Sequence, residues 1–144
     1  PLSEDGPSLT VLAPNAEDYG DLNNYSVVLR LTFGEDAFLF TGDAEEESEE
    51  EMLNAGFDLS AAVLKCGHHG SETSTSQPFL DAVKPRYAVI SCGADNDYGH
   101  PDAVTLEKLS AAGVEVFRTD LQGTILAVSD GAGVTMTALS KDAA

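Results

Sequence analysis

Between residues 37 and 119 the sequence alternates short apolar runs with helical segments, and this alternation constrains the fold more than any other feature. The strand-like runs are AFLFTG, DLSAAVLKC, RYAVISCG and VEVFRT. The segments between them, at residues 44–55, 76–84 and 102–113, have the spacing and punctuation of helices. Such an order predicts an α/β fold in which helices pack against a layer of strands.

Further strands are predicted on both sides of this segment. Residues 8–13 and 25–33 have strand character, and the second of these runs forms a hairpin with residues 37–42. Residues 123–130 and 133–139 predict a closing hairpin. The expected fold class is therefore α/β, with a mixed sheet and flanking helices in one domain.

The first helix contains an unusual run, with six glutamates among residues 45–51. Asp43 precedes this run and is a good N-cap candidate, because acidic side chains stabilise the amino end of a helix. Ala44, Ser48 and Met52 share one face, so the glutamates are expected to form a solvated face. A cation-binding run is the alternative interpretation.

The charge balance excludes some functions. Twenty-five acidic residues against seven Lys and Arg give a net charge of −18. Duplex DNA and anionic membranes are both bound through Lys and Arg, so this chain lacks the composition for either surface. Its sequence contains no apolar run of about 18 residues, the length that a membrane span needs. Cys66 and Cys92 end strand-like runs and are expected to be small buried hydrophobic residues.

Three loops that follow predicted strands contain every histidine of the chain. They are Thr41–Asp43, Gly67–Ser71 and Asn96–Pro101. Because ligand sites in α/β sheets lie at the carboxyl ends of the strands, these loops are expected to meet. A carboxylate from the first loop and an imidazole from the second would suit Zn²⁺ or Mn²⁺.

Each of these residues also has a simpler interpretation. Asp43 can be a plain N-cap, His68 and His69 a solvent-exposed pair, and His100 a residue at a helix entry. Ser71 begins a hydroxyl-rich loop that either contacts phosphate oxygens or caps the next helix. Adjacent histidines point in different directions, so one of the pair is the expected ligand.

The motifs NNxSVVLRL, FLFTGDAE, VLKCGHHGSxTS and VISCGADNxYGHP occur in this order. Together they resemble the metallo-β-lactamase superfamily, and within it the hydrolase domain of ComEC-type DNA-uptake proteins. The resemblance covers roughly residues 8–130 and implies the C-terminal half of an αββα sandwich.

Carried over residue by residue, the resemblance implies that Asp43 bridges two metal ions. It implies that His68 is a metal ligand, with His69 as the alternative, and that His100 contacts phosphate or transfers a proton. The expected catalytic residues are Asp43, His68 and His100. The residues expected to contact the substrate are Ser71, His69 and Asn96.

One superfamily motif, HxHxDH, is absent from this sequence. Residues 1–144 are therefore expected to be a single partial domain, with a missing N-terminal half of the same domain as its partner. The intact domain is expected to bind two divalent ions, zinc or manganese. The isolated chain is expected to bind metal weakly, to be inactive and to self-associate through an uncovered sheet.

The activity implied by the resemblance is metal-dependent hydrolysis of a phosphodiester, either DNA during DNA uptake or a small phosphoester. The alternatives are a secreted phosphocholine-esterase-like enzyme, a hydrolase of another substrate such as a lactone or thioester, and a non-catalytic module. The implied location is the extracellular face of the membrane within a larger membrane protein, or outside the cell as a secreted protein.

Overall fold

The computed structural model of the chain describes residues 6–139 and contains a six-stranded mixed sheet. The strands lie in chain order across this sheet and comprise β1 (Ser8–Ala13), β2 (Val28–Phe33), β3 (Asp36–Phe40), β4 (Val63–Lys65), β5 (Tyr87–Ile90) and β6 (Glu115–Arg118). The pairs β1–β2 and β2–β3 are antiparallel, whereas β3, β4, β5 and β6 pair in parallel. The predicted α/β class is confirmed.

Helices connect the parallel strands, as the sequence predicts. They are α1 (Glu46–Asn54), α2 (Gln77–Val83) and α3 (Ala103–Ala111). A short fourth helix, α4 (Thr119–Gln122), was not predicted, and it precedes the predicted closing hairpin of β7 (Thr124–Ser129) and β8 (Val134–Leu139). Within residues 6–139, none of the helices has the length and apolarity to cross a membrane.

The first three helices pack on one face of the sheet. Met52 of α1, Phe79 of α2 and Leu109 of α3 are fully buried, and they form one core with Leu39 and Leu64 of the central strands. Parallel strands need such a cover because their ladders are stable when both faces are shielded from water.

The prediction that both cysteines are buried is confirmed for Cys66 and only in part for Cys92. Cys66 lies in the core, where burial raises the pKa of its thiol to about 12. Cys92 is half-buried and packs against the same core. Both are free thiols.

The opposite face of the sheet is also apolar but is only partly covered. The hairpin β7–β8 packs against part of it through Ala127, Val134 and Met136. Beside the hairpin lies an open cavity of about 560 Å³, which we call the apolar groove. The side chains that line the groove include Leu31, Phe38, Phe40, Val63, Val89 and Leu126.

Two predictions about the first helix are wrong. Asp43 is not its N-cap, because a tight turn closed by the Ala44 amide and the Thr41 carbonyl (3.0 Å) separates it from the helix, and the capping position falls to Glu45. The glutamate run is not wholly solvated either. Glu49 is fully buried, on the same side as Met52.

Glu49 connects α1 to the loop before α2. Its carboxylate accepts hydrogen bonds from the backbone N–H groups of Thr75 (2.6 Å) and Ser76 (2.8 Å). Ser76 is the N-cap of α2 but makes no capping bond with its own side chain. A glutamate from another helix therefore satisfies amide groups that would otherwise be buried without a partner. Burial raises the pKa of Glu49 despite these bonds.

Glu49→Gln should lower the free energy of unfolding by roughly 1–3 kcal/mol, because an amide cannot accept from both N–H groups. Glu49→Ala, which removes both acceptors, should cost more. Because the pKa of Glu49 is raised on folding, its stabilising contribution should be largest below its ordinary pKa and fall as the pH rises through the raised value. Urea unfolding at two pH values tests this, with exposed Glu50→Gln as the matched control. Equal stability of the Glu49→Gln and Glu50→Gln variants would contradict the bridging role.

Candidate metal centre

The loops that follow β3, β4 and β5 meet at one edge of the sheet, as predicted. Asp43 comes from the first loop, His68 and His69 from the second, and His100 from the third. Asp43 Oδ1 lies 3.4 Å from His69 Nε2. The rings of His68 and His100 are 5.5 Å apart between centroids. The structure thus brings the three predicted catalytic residues and His69 together.

The turn that carries Asp43 is fixed by the neighbouring strands. Gly42 has a φ of +57°, a conformation that favours glycine. The Asp43 amide donates to Ser26 Oγ (3.0 Å), and the Thr41 hydroxyl donates to the Lys65 carbonyl (2.8 Å). Because the backbone is held in this way, the Asp43 carboxylate projects from the edge of the sheet and remains partly exposed.

The second loop places two histidines in an uncommon backbone conformation. His68 and His69 both have positive φ, 43° and 56°, which costs free energy in residues with a side chain beyond Cβ. Close packing holds the loop in place. A Cβ added at Gly67 would lie 2.8 Å from the Ala44 carbonyl oxygen, and one at Gly70 would lie 2.7 Å from Pro101.

The ring of His69 is anchored through its Nδ1, which lies 2.6 Å from the Ser91 carbonyl oxygen. A carbonyl oxygen can only accept, so Nδ1 carries the proton and the neutral ring has a lone pair on Nε2. This lone pair faces Asp43 Oδ1, which is also an acceptor. Two acceptors placed 3.4 Å apart need a proton or a cation between them.

His68 is anchored differently. Its Nδ1 lies 3.0 Å from Glu45 Oε1, and the same oxygen accepts from Thr73 Oγ1 (2.8 Å) and Asn23 Nδ2 (3.2 Å). Asn23, the first residue of the motif NNxSVVLRL, is therefore connected to the histidine loop through Glu45. Sequence reasoning missed Glu45, because it lies in a run of glutamates that reads as solvated.

His100 is largely enclosed, with 13% of its side chain exposed. The Tyr98 ring stacks on it, with the centroids 5.9 Å apart and the planes within 10°. Its Nδ1 is buried and makes no hydrogen bond, although the Asp102 carboxylate lies 3.5 Å away. Its ring therefore borders the site at the side of His68.

Two residues that are expected to contact substrate make hydrogen bonds within the loops. Ser71 is buried, and its carbonyl accepts from the Thr105 hydroxyl (3.1 Å). Asn96 donates to the His100 carbonyl (2.6 Å) and accepts from the His100 amide (3.0 Å), which closes the third loop. Neither side chain is joined to Asp43 or His69 by a hydrogen bond.

Lys65, which sequence reasoning also missed, lies at the end of β4 beside the site. Its Nζ donates to the Gly42 carbonyl (2.5 Å) and lies 3.9 Å from Asp43 Oδ1. Burial lowers the pKa of Lys65, and the charge of Asp43 opposes this effect. The sequence offered one signal for this residue, a lysine directly after the apolar residues AAVL. A charged side chain among buried neighbours needs a partner, which predicts a nearby acceptor or carboxylate.

The donors present fit part of a metal site. Asp43 and His69 offer a carboxylate oxygen and, in the neutral form of the ring, an imidazole lone pair at one point, and both side chains are about half exposed, at 40% and 46%. In residues 6–139, however, no three His, Cys, Asp or Glu side chains converge on a common point. Structural and catalytic zinc sites use about three or four protein ligands, so these two residues form one side of a site and do not complete it.

Comparison with known proteins identifies the family to which these loops belong. The family model of the metallo-β-lactamase superfamily, whose members generally bind divalent metal ions, matches residues 3–94. The chain is 43% identical over 115 residues to ComE operon protein 3 of Bacillus subtilis, and this match covers 80% of the chain and 15% of that protein. The chain is also 42% identical over 122 residues to competence protein ComA of Neisseria gonorrhoeae, and this match covers 84% of the chain and 18% of that protein.

A third relative is recombination protein 2 of Haemophilus influenzae, 35% identical over 103 residues. That match covers 72% of this chain and 13% of the relative. The chain thus spans less than a fifth of the length of each of these three relatives. The family model extends across the strands and loops that carry Asp43 and both adjacent histidines, and the chain belongs to the metallo-β-lactamase superfamily.

Proposed function

We propose that this chain supplies one side of the active site of a metal-dependent hydrolase domain that cleaves phosphodiesters in DNA uptake. The observation that carries the proposal is the pair of acceptors, Asp43 Oδ1 and His69 Nε2, which face each other at 3.4 Å. A divalent cation satisfies both, and each is a ligand type that Zn²⁺ and Mn²⁺ accept.

The ligand role falls to His69 in this proposal, although the resemblance favours His68. His69 has its Nδ1 proton fixed by a backbone carbonyl and its Nε2 directed at Asp43. A second interaction that fixes the tautomer in this way is typical of metal-binding histidines. His68 is turned to Glu45 and stands beside His100, so it borders the site without sharing an oxygen of Asp43.

A bound pair of divalent ions would supply an activated water and neutralise charge on the phosphoryl group. The chain's own residues would do the rest. Asp43 and His69 bind and orient the cations, and Lys65 holds Asp43 in position from the sheet side. His100, enclosed by Tyr98, limits access of water from the third loop.

The names of two relatives support the substrate class of this proposal. One is named a competence protein and another a ComE operon protein, which favours DNA or a product of DNA uptake. The net charge of −18 favours the alternative, a small phosphoester hydrolysed by a secreted relative, because DNA phosphates are repelled by such a surface. If DNA is the substrate, the metal ions or basic regions elsewhere in the protein supply the affinity.

The partner of this chain in the proposal is the first half of the same domain. The relatives are more than five times longer than the matched segment. The apolar groove offers the first half of the domain a surface on which to pack. Phe40 and Leu126 line the groove and are 43% and 47% exposed. Packing of a second sheet there would bury them and bring the missing ligands to Asp43. A location at the outer face of the membrane within a longer protein, or outside the cell, is part of the same proposal.

The isolated chain should bind Zn²⁺ or Mn²⁺ more weakly than about 1 μM, because two ligands leave most of the coordination to water. Asp43→Ala and His69→Gln should abolish the residual binding, whereas Asp81→Ala, a change at an exposed carboxylate on α2, should leave it unchanged. Isothermal titration measures these affinities. A submicromolar dissociation constant for the unaltered chain would contradict the incomplete site.

In the longer natural protein, Asp43→Ala should lower turnover of bis(p-nitrophenyl) phosphate by about 100-fold or more, with loss of bound metal. His69→Gln should have the same effect, and Asp81→Ala should have none. Steady-state kinetics together with metal analysis of the purified variants provides the test. Unchanged turnover in Asp43→Ala would refute the proposed function, and metal loss in His68→Gln but not in His69→Gln would reassign the ligand.

The isolated chain should self-associate through the apolar groove, because exposed apolar surface of this size is unfavourable in water. Phe40→Glu and Leu126→Glu should shift it toward monomer in sedimentation velocity experiments. Val104→Glu is the matched control, since Val104 is 45% exposed but lies on α3, on the other side of the sheet. A strictly monomeric unaltered chain would count against the open face as a docking surface.

A further inference from the structure

Glu45 occupies a position at which an acidic residue usually serves its own helix. As the N-cap of α1 it is expected to accept from the first free amides of that helix. Its side chain makes no such bond. The carboxylate is turned away from α1 and toward the histidine loop, where 17% of the side chain is exposed.

One carboxylate oxygen of Glu45 has three polar neighbours. Oε1 accepts from Thr73 Oγ1 (2.8 Å) and Asn23 Nδ2 (3.2 Å), and it lies 3.0 Å from His68 Nδ1. In residues 6–139 no Lys or Arg forms an ion pair with Glu45. The hydrogen bonds to this oxygen therefore fix the direction of the carboxylate, which points toward the His68 ring.

The backbone at Glu45 is held as firmly as the side chain. Its amide donates to Asn24 Oδ1 (3.0 Å), and the Asn24 amide group donates to Glu47 (3.1 Å). Asn24 is buried, with 2% of its surface exposed. The two adjacent asparagines before β2 thus brace Glu45 from opposite sides, Asn23 at the carboxylate and Asn24 at the backbone.

We propose that Glu45 is a positioning residue that holds His68 in the tautomer with the proton on Nδ1. An ionised carboxylate can only accept a hydrogen bond, so the tautomer of His68 follows from its partner. Nε2 then has a free lone pair on the side of the ring away from Glu45, and the centroid of the His100 ring lies 5.5 Å from that of His68. The site gains a second unprotonated imidazole nitrogen whose direction is set by a carboxylate.

This arrangement divides the roles of the two adjacent histidines. His69 takes its tautomer from a backbone carbonyl and faces Asp43, whereas His68 takes its tautomer from a side chain and lies beside the His100 ring. Only the second anchor can be removed by a substitution. The significance of Glu45 for catalysis rests on the proposed function, but its effect on the tautomer does not.

The test is the tautomer of each histidine in the metal-free chain, read from long-range ¹H–¹⁵N correlations of the imidazole rings at about pH 8.5, where ordinary imidazoles are neutral. His68→Gln and His69→Gln variants assign the signals. In the unaltered chain both rings should have the Nδ1–H tautomer as the dominant form. Glu45→Ala should turn His68 to predominantly Nε2–H and leave His69 unchanged.

Glu46→Ala is the matched control, since Glu46 lies in the same turn, is exposed, and its carboxylate makes no hydrogen bond within residues 6–139. It should alter neither ring. An Nε2–H form of His68 in the unaltered chain would overturn the proposal even if Glu45→Ala does not fold, and so would an unchanged His68 in a folded Glu45→Ala variant. Because no metal or substrate is present, failure here is separable from failure of the proposed hydrolase activity.

Discussion

Parallel pairing of β3, β4 and β5 is the constraint on which the rest of this structure depends. In a parallel ladder the carboxyl ends of neighbouring strands come to the same edge, and the register here places Phe40 beside Lys65 and Lys65 beside Val89. The residues that follow each strand are therefore neighbours in space, although about 25 residues separate them in sequence. Asp43, the histidine pair and His100 meet for this reason.

The same pairing explains the unequal faces of the sheet. Strands in parallel ladders are apolar on both sides, and three helices cover one side of this sheet completely. On the other side the hairpin β7–β8 shields Val63 and Tyr87 but leaves the apolar groove open. In our proposal the first half of the domain would complete both the burial and the metal site, so one surface would serve both.

Sequence reasoning located the elements well because each has a strong local signal. The helices have N-terminal proline or C-terminal glycine, and the strands have apolar runs, so the sequence predicts α1, α2, α3 and each of the eight strands that lie within residues 6–139. Strand β4 is shorter than predicted because Ser60 bonds to the Asp58 carboxylate and makes a turn before the strand. Helix α4 has four residues and no periodicity to detect.

The site was predicted in its loops but not in its contacts. Convergence of the three loops follows from strand order, which the sequence contains, whereas the partners of each side chain depend on the backbone. The positive φ values of His68 and His69 decide which ring faces Asp43, and no residue pattern encodes them. Glu45 and Glu49 were hidden in a run of glutamates, because composition cannot tell a solvated carboxylate from one that is turned inward.

The most direct measurement is a crystal structure of the longer protein with zinc or manganese bound, with the ions located by anomalous scattering. Our account predicts an ion held by the Asp43 carboxylate and His69 Nε2, each at about 2.0–2.2 Å, with the Glu45–His68 hydrogen bond retained. An ion held by His68 Nε2 with His69 turned to solvent would contradict the assignment. Metal bound elsewhere, with Asp43 uncoordinated, would contradict the account as a whole.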